Sequence, residues 1–451
     1  MSCGGAGGGL FVGDDATICD FGGGAGGGVS SVDCPSGDGG GGGGGGGGMG
    51  GRGGGGGGGW GFGGGGGRRA MGGGVTGVVW NTGEGVVVEV GGDEAGMGRF
   101  DGMLRGVKPP PAARMEEITM EELEEGPPAT SFVIKESEEG GTPMASMVPD
   151  LAMCEGCRRE LLDRKDRRFR YPFLNCTECG PRFSILEKIP YDRGNTSMRE
   201  FAMCEGCRRE YEDAGDRRFH AEPIACRVCG PQVAFWDGEG EALGEGEVGL
   251  GLAVEALKGG RIVAVKGIGG FHLMVDARNE EGVRRLRERK GREEKPLAVM
   301  FGSVEEIREV AVVGEVEEGA LRSAAAPIVL LEKREGGGLA ESVAPDHPWL
   351  GCMVAYSPLH VLLLEGVGGP VVATSGNLSD EPICTEEGEA VARLRGVAEG
   401  FLVHNRRIVR PVDDSVVRVM AGEGGVARGC RGCEALGAVG EGVPHLGGVR
   451  S

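Results

Sequence analysis

The chain has 451 residues, 96 of them glycine, and 48 Lys and Arg against 68 Asp and Glu give a net charge of −20. That excess of negative charge disfavours non-specific binding to nucleic acid or to an anionic membrane, and no run of eighteen apolar residues offers a membrane span. The N-terminus lacks the basic start and apolar centre of a secretory signal, so a cytoplasmic, reducing setting is expected, in which paired cysteines hold metal.

Forty-one of the 96 glycines precede Val75. Runs such as 41–48 and 53–59 have no side chains to bury and lose the most backbone entropy on ordering, so residues 1–58 are expected to be disordered. Alternation over 75–80 and 86–90 predicts two strands, and a helical stretch follows around 100–104. Residues 126–147 have the Gly, Pro and acidic content of a linker, and 237–251 that of a second connector. From Leu252 the patterns alternate: helix 252–258, strand 262–265, helix 280–289, strand 297–301, and short strands at 328–331 and 371–373. Ser303 with Glu306 reads as a capping box, Ser357-Pro358 as an N-cap with proline in the first turn, and Thr385 as the start of another helix. Strands within 408–420 close an α/β domain with a mostly buried, mixed sheet.

Between these parts lies a tandem repeat. Residues 153–160 recur without change as 203–210, and Asp166-Arg-Arg-Phe169 recurs as 216–219. Each unit reads Cys-x2-Cys-x18-Cys-x2-Cys: Cys154, Cys157, Cys176 and Cys179, then Cys204, Cys207, Cys226 and Cys229. Two thiolates on each of two tight turns complete a tetrahedron with no position left for water or substrate, so two structural zinc sites are expected. Iron in a rubredoxin-like site is the alternative, because spacing alone does not separate the metals. Gly180 and Gly230 follow the last cysteine of each unit, where a positive φ would turn N–H groups towards sulfur. From Cys154 to Cys229 there are 16 basic and 14 acidic residues, so the paired arginines 158–159, 167–168, 208–209 and 217–218 read as a solvated, salt-bridged face, not a nucleic-acid surface.

Four motifs in the α/β part place polar groups where such sheets bind ligands. Lys266 leads into a glycine turn, 267–270, and then His272; glycine there would let a ligand approach the backbone. Lys290, Arg292 and Lys295 precede a strand and suit a polyanion. Ser375 and Asn377 follow a buried strand, while Arg406 and Asp413 flank a predicted short strand.

Taken with the twin repeat, the series Lys-Gly-Ile-Gly-Gly-Phe-His, Lys-x-Arg-x-x-Lys-Pro-Leu, Ser-Pro-Leu-His, Thr-Ser-Gly-Asn and His-Asn-Arg…Asp-Asp-Ser resembles the HypF family of hydrogenase-maturation carbamoyltransferases. The resemblance implies an α/β and α+β multidomain chain. Its parts would be a disordered Gly-rich start (1–58), a small degenerate acylphosphatase-like α+β fragment (59–125), a linker (126–147), a tandem zinc-finger module (148–236), a YrdC-like α/β domain with a mixed twisted sheet (248–429) and a disordered tail (430–451). It also implies formation of carbamoyl adenylate from carbamoyl phosphate and ATP with Mg²⁺, for nickel–iron hydrogenase cyanide-ligand synthesis, and a HypE-like acceptor protein as partner. On that basis Lys266, His272, Lys290, Arg292 and Lys295 would serve the phosphates, Ser375 and Asn377 would line the nucleotide pocket, and Arg406 and Asp413 would close it.

The chain departs from that family at both ends. Residues 77–82 match the strand and turn carrying the catalytic asparagine of the acylphosphatase-like part, here Asn81, but Gly63 stands where the phosphate-binding arginine belongs. Acylphosphatase activity is therefore expected to be very weak. The family's large carbamoyl-transfer domain has no counterpart in this sequence, and Cys430-x-x-Cys433 replaces the usual exit. Two competing readings stand beside the leading one: a threonylcarbamoyl-adenylate synthase for tRNA modification, and a non-catalytic, zinc-stabilised interaction module.

Overall fold

A computed structural model describes residues 8–11, 47–54, 75–81, 85–106, 119–123, 132–134, 149–189, 191–213, 215–292, 295–378, 381–420 and 423–428. They fall into two compact units, one of residues 1–148 with 188–192 and 209–221, the other of residues 149–187 with 193–208 and 222–451.

In the first unit, β1 (Gly8–Phe11), β2 (Gly47–Gly54), β3 (Thr76–Asn81), β4 (Gly85–Gly92), β5 (Thr119–Glu122) and β6 (Phe132–Ile134) form one sheet in the order β1-β5-β2-β4-β3-β6. The alternation read from residues 75–90 is realised in β3 and β4, which pair antiparallel and bury Val79, Val88 and Val90. Helix α1 (Glu94–Gly106) begins where Asp93 accepts a hydrogen bond from the Gly96 N–H at 2.6 Å, and it buries Met97 and Phe100. Two expectations are corrected. Strands β1 and β2 lie inside the segment expected to be disordered: a ladder pairs backbone with backbone, and β4 provides β2 with eight partners from Gly92 to Gly85. Strand β6 lies inside the expected linker, where three successive apolar residues run parallel to β3. Gly63, the rest of the expected linker, Cys430 and Cys433 lie outside the described residues.

The second unit holds all eight cysteines of the repeat; α2 (Glu155–Leu162) and α3 (Glu205–Glu212) each start one residue after the first cysteine of their repeat. It also holds an eleven-stranded sheet. The strands are β7 (Val233–Asp237), β8 (Ala242–Glu245), β9 (Val263–Lys266), β10 (Phe271–Asp276), β11 (Ala298–Phe301), β12 (Ile328–Glu332), β13 (Trp349–Val354), β14 (Val371–Ser375), β15 (Gly400–His404), β16 (Val416–Met420) and β17 (Glu423–Arg428). Their order is β17-β16-β12-β13-β11-β14-β10-β9-β15-β7-β8. Pairs β11–β13, β9–β15 and β12–β16 are parallel and the rest antiparallel, which makes the sheet mixed. Its central strands are buried throughout; Val263, Leu273, Val299 and Val372 are all fully enclosed.

Helices α4 (Gly246–Lys258), α5 (Glu280–Lys290), α6 (Val304–Val310), α7 (Glu315–Leu321), α8 (Pro358–Val367) and α9 (Glu387–Leu394) complete the domain. Ser303 accepts from the Glu306 N–H at 3.2 Å and Ser357 from the His360 N–H at 3.2 Å, as the sequence predicts. The domain starts earlier than residue 248, because β7 pairs with β15 and β8 with β7. Helix α4 likewise begins six residues ahead of the predicted 252, with its glycines placed for contact: a Cβ on Gly249 would meet the Phe235 N at 3.0 Å and the Gly244 O at 2.7 Å. The cap of α9 is Glu386, not Thr385. No strand lies between 405 and 415; β15 ends at His404 and β16 begins at Val416.

Candidate metal centres and nucleotide site

In each finger the first cysteine precedes a helix and the third and fourth lie on a tight turn, closed by a Cys179 N–H donating to the Cys176 carbonyl at 3.4 Å and a Cys229 N–H donating to Cys226 at 3.1 Å. The Sγ atoms of Cys154, Cys157, Cys176 and Cys179 all lie within 4.8 Å of one another, as do those of Cys204, Cys207, Cys226 and Cys229. Measured separations are 3.5 to 3.8 Å. A tetrahedron with Zn–S bonds of ~2.3 Å has edges of ~3.8 Å, so both sets fit the ion. Gly180 has the expected positive φ of 96°, and the Glu178 N–H points at the Cys176 sulfur at 3.4 Å. Gly230 does not need a positive φ; it is glycine because a Cβ there would collide with the Tyr171 hydroxyl at 2.1 Å and the Ala225 Cβ at 2.4 Å. The paired arginines are not a uniformly solvated face: Arg168 is 1% exposed and Arg158 donates to the Gly302 carbonyl at 3.1 Å.

In the α/β domain, β9, β10 and β14 run side by side, and their register sets Lys266 opposite Phe271 and His272 opposite Ser375. Helix α5 ends at Lys290 because Gly291 takes the left-handed conformation, φ 63°, that turns the chain back to Arg292. The Lys290 ammonium then reaches across to β14 and donates to the Ser375 carbonyl, to the Asn377 carbonyl at 3.0 Å and to Asn377 Oδ1 at 3.1 Å. Arg292 donates to Thr374 Oγ1 at 3.2 Å, and Ser375 Oγ donates to Asn377 Oδ1 at 2.8 Å. Burial pushes Lys290 down to about 8, the Arg292 charge adding to that and Asp413 opposing it. Burial also lowers Arg292, again against Asp413. The geometry thus joins Lys290, Arg292, Ser375, Asn377 and the field of Asp413. Lys295 is exposed, and the contact it makes here is its carbonyl accepting from Arg287 at 3.0 Å.

A second group lies on the β9 side. Lys266 is 1% exposed and its ammonium is 2.5 Å from the Glu387 carboxylate and 3.3 Å from the His404 carbonyl; burial lowers its pKa in spite of Glu387. The His404 ring lies 3.1 Å from the Gly267 carbonyl through Nε2. Burial, with the charges of Lys266 and Arg406, holds it well below the ordinary histidine range, so it is neutral near pH 7. Arg406 stacks over the Phe173 ring at 5.1 Å. Phe173, Cys179, Lys266, Tyr356, His404 and Arg406 are among the walls of a small cavity of about 20 Å³. His272 is buried and its Nε2 lies 3.0 Å from Asp414 Oδ2, so it ties the 413–415 segment to β10.

The glycine turn 267–270 serves the protein's own chain. A Cβ on Gly269 would meet the Val412 carbonyl at 2.4 Å, and one on Gly270 the Ile383 side chain at 2.6 Å. Glu387 and Asp414, the partners of Lys266 and His272, were missed in the sequence; Glu387 reads there only as an acid in a helix's first turn. Asn81 ends β3.

Comparison with known proteins matches the acylphosphatase model at residues 59–134, the HypF finger at 153–186 and 203–236, and the Sua5/YciO/YrdC model, described as telomere recombination, at 255–429. Carbamoyltransferase HypF of Synechocystis sp. is 51% identical over 362 residues, 80% of this chain and 46% of that protein. The Rhodobacter capsulatus HypF is 46% identical, covering 77% and 45%. A solved full-length HypF in its phosphate- and nucleotide-bound form superposes with a TM-score of 0.77 at 45% identity, covering 83% of this chain and 48% of that one. A threonylcarbamoyl-AMP synthase of Methylococcus capsulatus matches at 33% over 134 residues, 29% of this chain. The chain therefore spans about half the length of the HypF relatives it matches. It carries the acylphosphatase, paired HypF-finger and Sua5/YciO/YrdC regions together, and it belongs to the HypF carbamoyltransferase family.

Proposed function

We propose that the α/β domain makes carbamoyl adenylate from ATP and the carbamate that hydrolysis of carbamoyl phosphate frees, with uptake of one water and release of inorganic phosphate in the hydrolysis and of pyrophosphate in the adenylation, in the cytoplasm, for nickel–iron hydrogenase cyanide-ligand synthesis. The observation that carries this is the convergence of Lys290 and Arg292, at the end of α5, with Thr374, Ser375 and Asn377, at the end of β14, from places far apart in sequence. Fixed cations beside neutral polar groups suit a triphosphate, and adenylate formation needs charge stabilisation and positioning, not a protein nucleophile. Lys290, Arg292 and Lys295 would hold phosphate oxygens, Mg²⁺ would travel with the triphosphate, and Ser375 and Asn377 would meet the nucleotide. Lys266, already neutralised by Glu387, and Arg406 would face it from the cavity side, while His272 would act through Asp414 by fixing the segment that carries Asp413. Asn81 is the proposed residue of the acylphosphatase region that meets carbamoyl phosphate. A HypE-like protein would take the carbamoyl group.

Pyrophosphate release decides the matter. Zinc-loaded chain with ATP and Mg²⁺ is expected to release pyrophosphate only when carbamoyl phosphate is present. Release that requires threonine and bicarbonate instead would favour the threonylcarbamoyl-adenylate reading, against which the two HypF fingers stand. A folded protein that binds no ATP would leave the interaction module.

A further inference from the structure

The two fingers share an identical motif, yet the second is completed by side chains of the first. Arg167, in the loop between the two cysteine pairs of the first repeat, places Nη2 3.2 Å from the Cys207 sulfur and 3.6 Å from that of Cys204. Its neighbour Arg168 places Nη2 3.4 Å from Cys207 Sγ and donates through Nε to the Ala225 carbonyl at 2.8 Å. Around them the repeats interlock: Arg227 donates to the Phe169 carbonyl, Tyr171 to the Pro231 carbonyl at 3.1 Å and Asn175 to the Pro223 carbonyl at 2.8 Å.

Electrostatics says what the arginines do. Four thiolates around a divalent ion carry a net charge of about −2, which is costly to bury unless cations or N–H donors meet the sulfurs. Arg168 is 1% exposed, and a buried guanidinium is costly unless opposite charge or acceptors meet it, as the Cys207 sulfur and the Ala225 carbonyl do here. Space has also been left for its neighbour. A Cβ on Gly206, inside the Cys204–Cys207 turn, would lie 2.9 Å from Arg167 Nη1 and 3.1 Å from its Cζ, so glycine at 206 gives the guanidinium its seat.

We propose that Arg167 and Arg168 are the charge-neutralising donors to the second metal site, so that this site holds its ion only while the first repeat is folded against it. Groups that hydrogen-bond metal ligands without touching the metal typically govern affinity by ten- to a hundredfold. The dependence is built across the repeat: the thiolates come from one unit and their counter-charge from the other.

The test labels each cysteine of the zinc-loaded chain with N-ethylmaleimide in the presence of a chelator and reads every site separately by peptide mass. In Arg167→Ala, which truncates an exposed side chain, Cys204 and Cys207 are expected to label about tenfold faster or more, with Cys154 and Cys157 unchanged. Gly206→Ala should act in the same direction by displacing the guanidinium, although alanine raises intrinsic helix propensity. Cys176→Ser, which opens the first site, should speed labelling at Cys204 and Cys207 too. Wild-type protection of Cys204 and Cys207 in Arg167→Ala, equal acceleration at both sites in that variant, or an intact second site in Cys176→Ser would each overturn the proposal.

Discussion

The finger pair and the proposed nucleotide site both gather polar groups round a point, but they differ in what holds those groups when nothing is bound. In each finger four thiols lie within 4.8 Å of one another, three of the pairs at 3.5 to 3.8 Å, a spacing that thiols alone do not favour and that a cation explains. In the α/β site the groups already satisfy one another: Lys290 spends its donors on the Ser375 carbonyl and on Asn377, and Ser375 spends its hydroxyl on Asn377. One region needs its ligand to keep its shape, whereas the other is shaped beforehand by an eleven-stranded sheet and would present a nucleotide with a finished surface.

Metal loss is the largest way to break that contrast. Cys176, 3.6 Å from Cys154 and 3.8 Å from Cys179 at the sulfurs, is a ligand of the first set. Cys176→Ser is expected to abolish metal at that set and unfold its repeat, because structural zinc supplies ~10 kcal/mol or more of apparent folding energy in small fingers. Elemental analysis and protease mapping check this: wild type should carry about two zinc ions, and a variant that keeps full metal would show the set is not a site. Nucleotide removal, by contrast, should leave the protease pattern of the α/β domain as it was.

The same contrast explains what the sequence could tell. Cysteine ligands announce themselves, because each pair is fixed within one four-residue turn and the second pair follows at the same eighteen-residue interval in both repeats. The polar site is assembled by strand register, and register is not written locally. Lys290 and Asn377 meet because β10 pairs with β14, and the helix after β10 ends beside that pair. Their residues could be nominated as motifs, but that Lys266 is neutralised by Glu387 and His272 is held by Asp414 depends on segments more than a hundred residues away. Strands β10, β13 and β15, mostly apolar and largely buried on both faces, also escaped periodicity, which needs an exposed face to show itself.

Within the nucleotide site, charge comes next in size. Of the three cations before β11, Lys290 is buried and Lys295 is exposed, so Lys295 is the one whose removal leaves the packing alone. If it contacts phosphate, Lys295→Ala should weaken ATP by ~1.5–3 kcal/mol, roughly ten- to a hundredfold, in calorimetric titration with Mg²⁺. An unchanged affinity would place Lys295 outside the site.

Shape follows charge. Gly376 lies so close to β10 that a Cβ would meet the Phe271 carbonyl oxygen at 2.7 Å and its carbonyl carbon at 2.8 Å. Both are backbone atoms, so Gly376→Ala must move the 375–377 loop, at a cost of ~1–3 kcal/mol by chemical denaturation. Loss of nucleotide affinity with the fingers' zinc retained would tie the loop's position to binding; unchanged affinity would show that the nucleotide does not touch it.

The smallest effect, and the sharpest in sign, is that of pH on Lys290. Its folded-state pKa is lowered from 10.5 to about 8 by burial and by Arg292. Below pH 8 the ammonium is charged in both folded and unfolded chains, and the full cost of burying it is present. Between about 8 and 10.5 the folded chain gives up the proton while the unfolded chain keeps it, so this residue's contribution to stability improves as pH rises. Nucleotide binding responds the other way, since a polyanion favours the protonated amine. ATP affinity should therefore fall as pH passes 8, by at most about tenfold per pH unit, while the Lys290 share of stability rises. Lys290→Met should flatten both curves. Affinity that holds level from pH 7 to 9.5 in the wild type would mean that the Lys290 charge supports the Ser375–Asn377 loop and does not act on the phosphates.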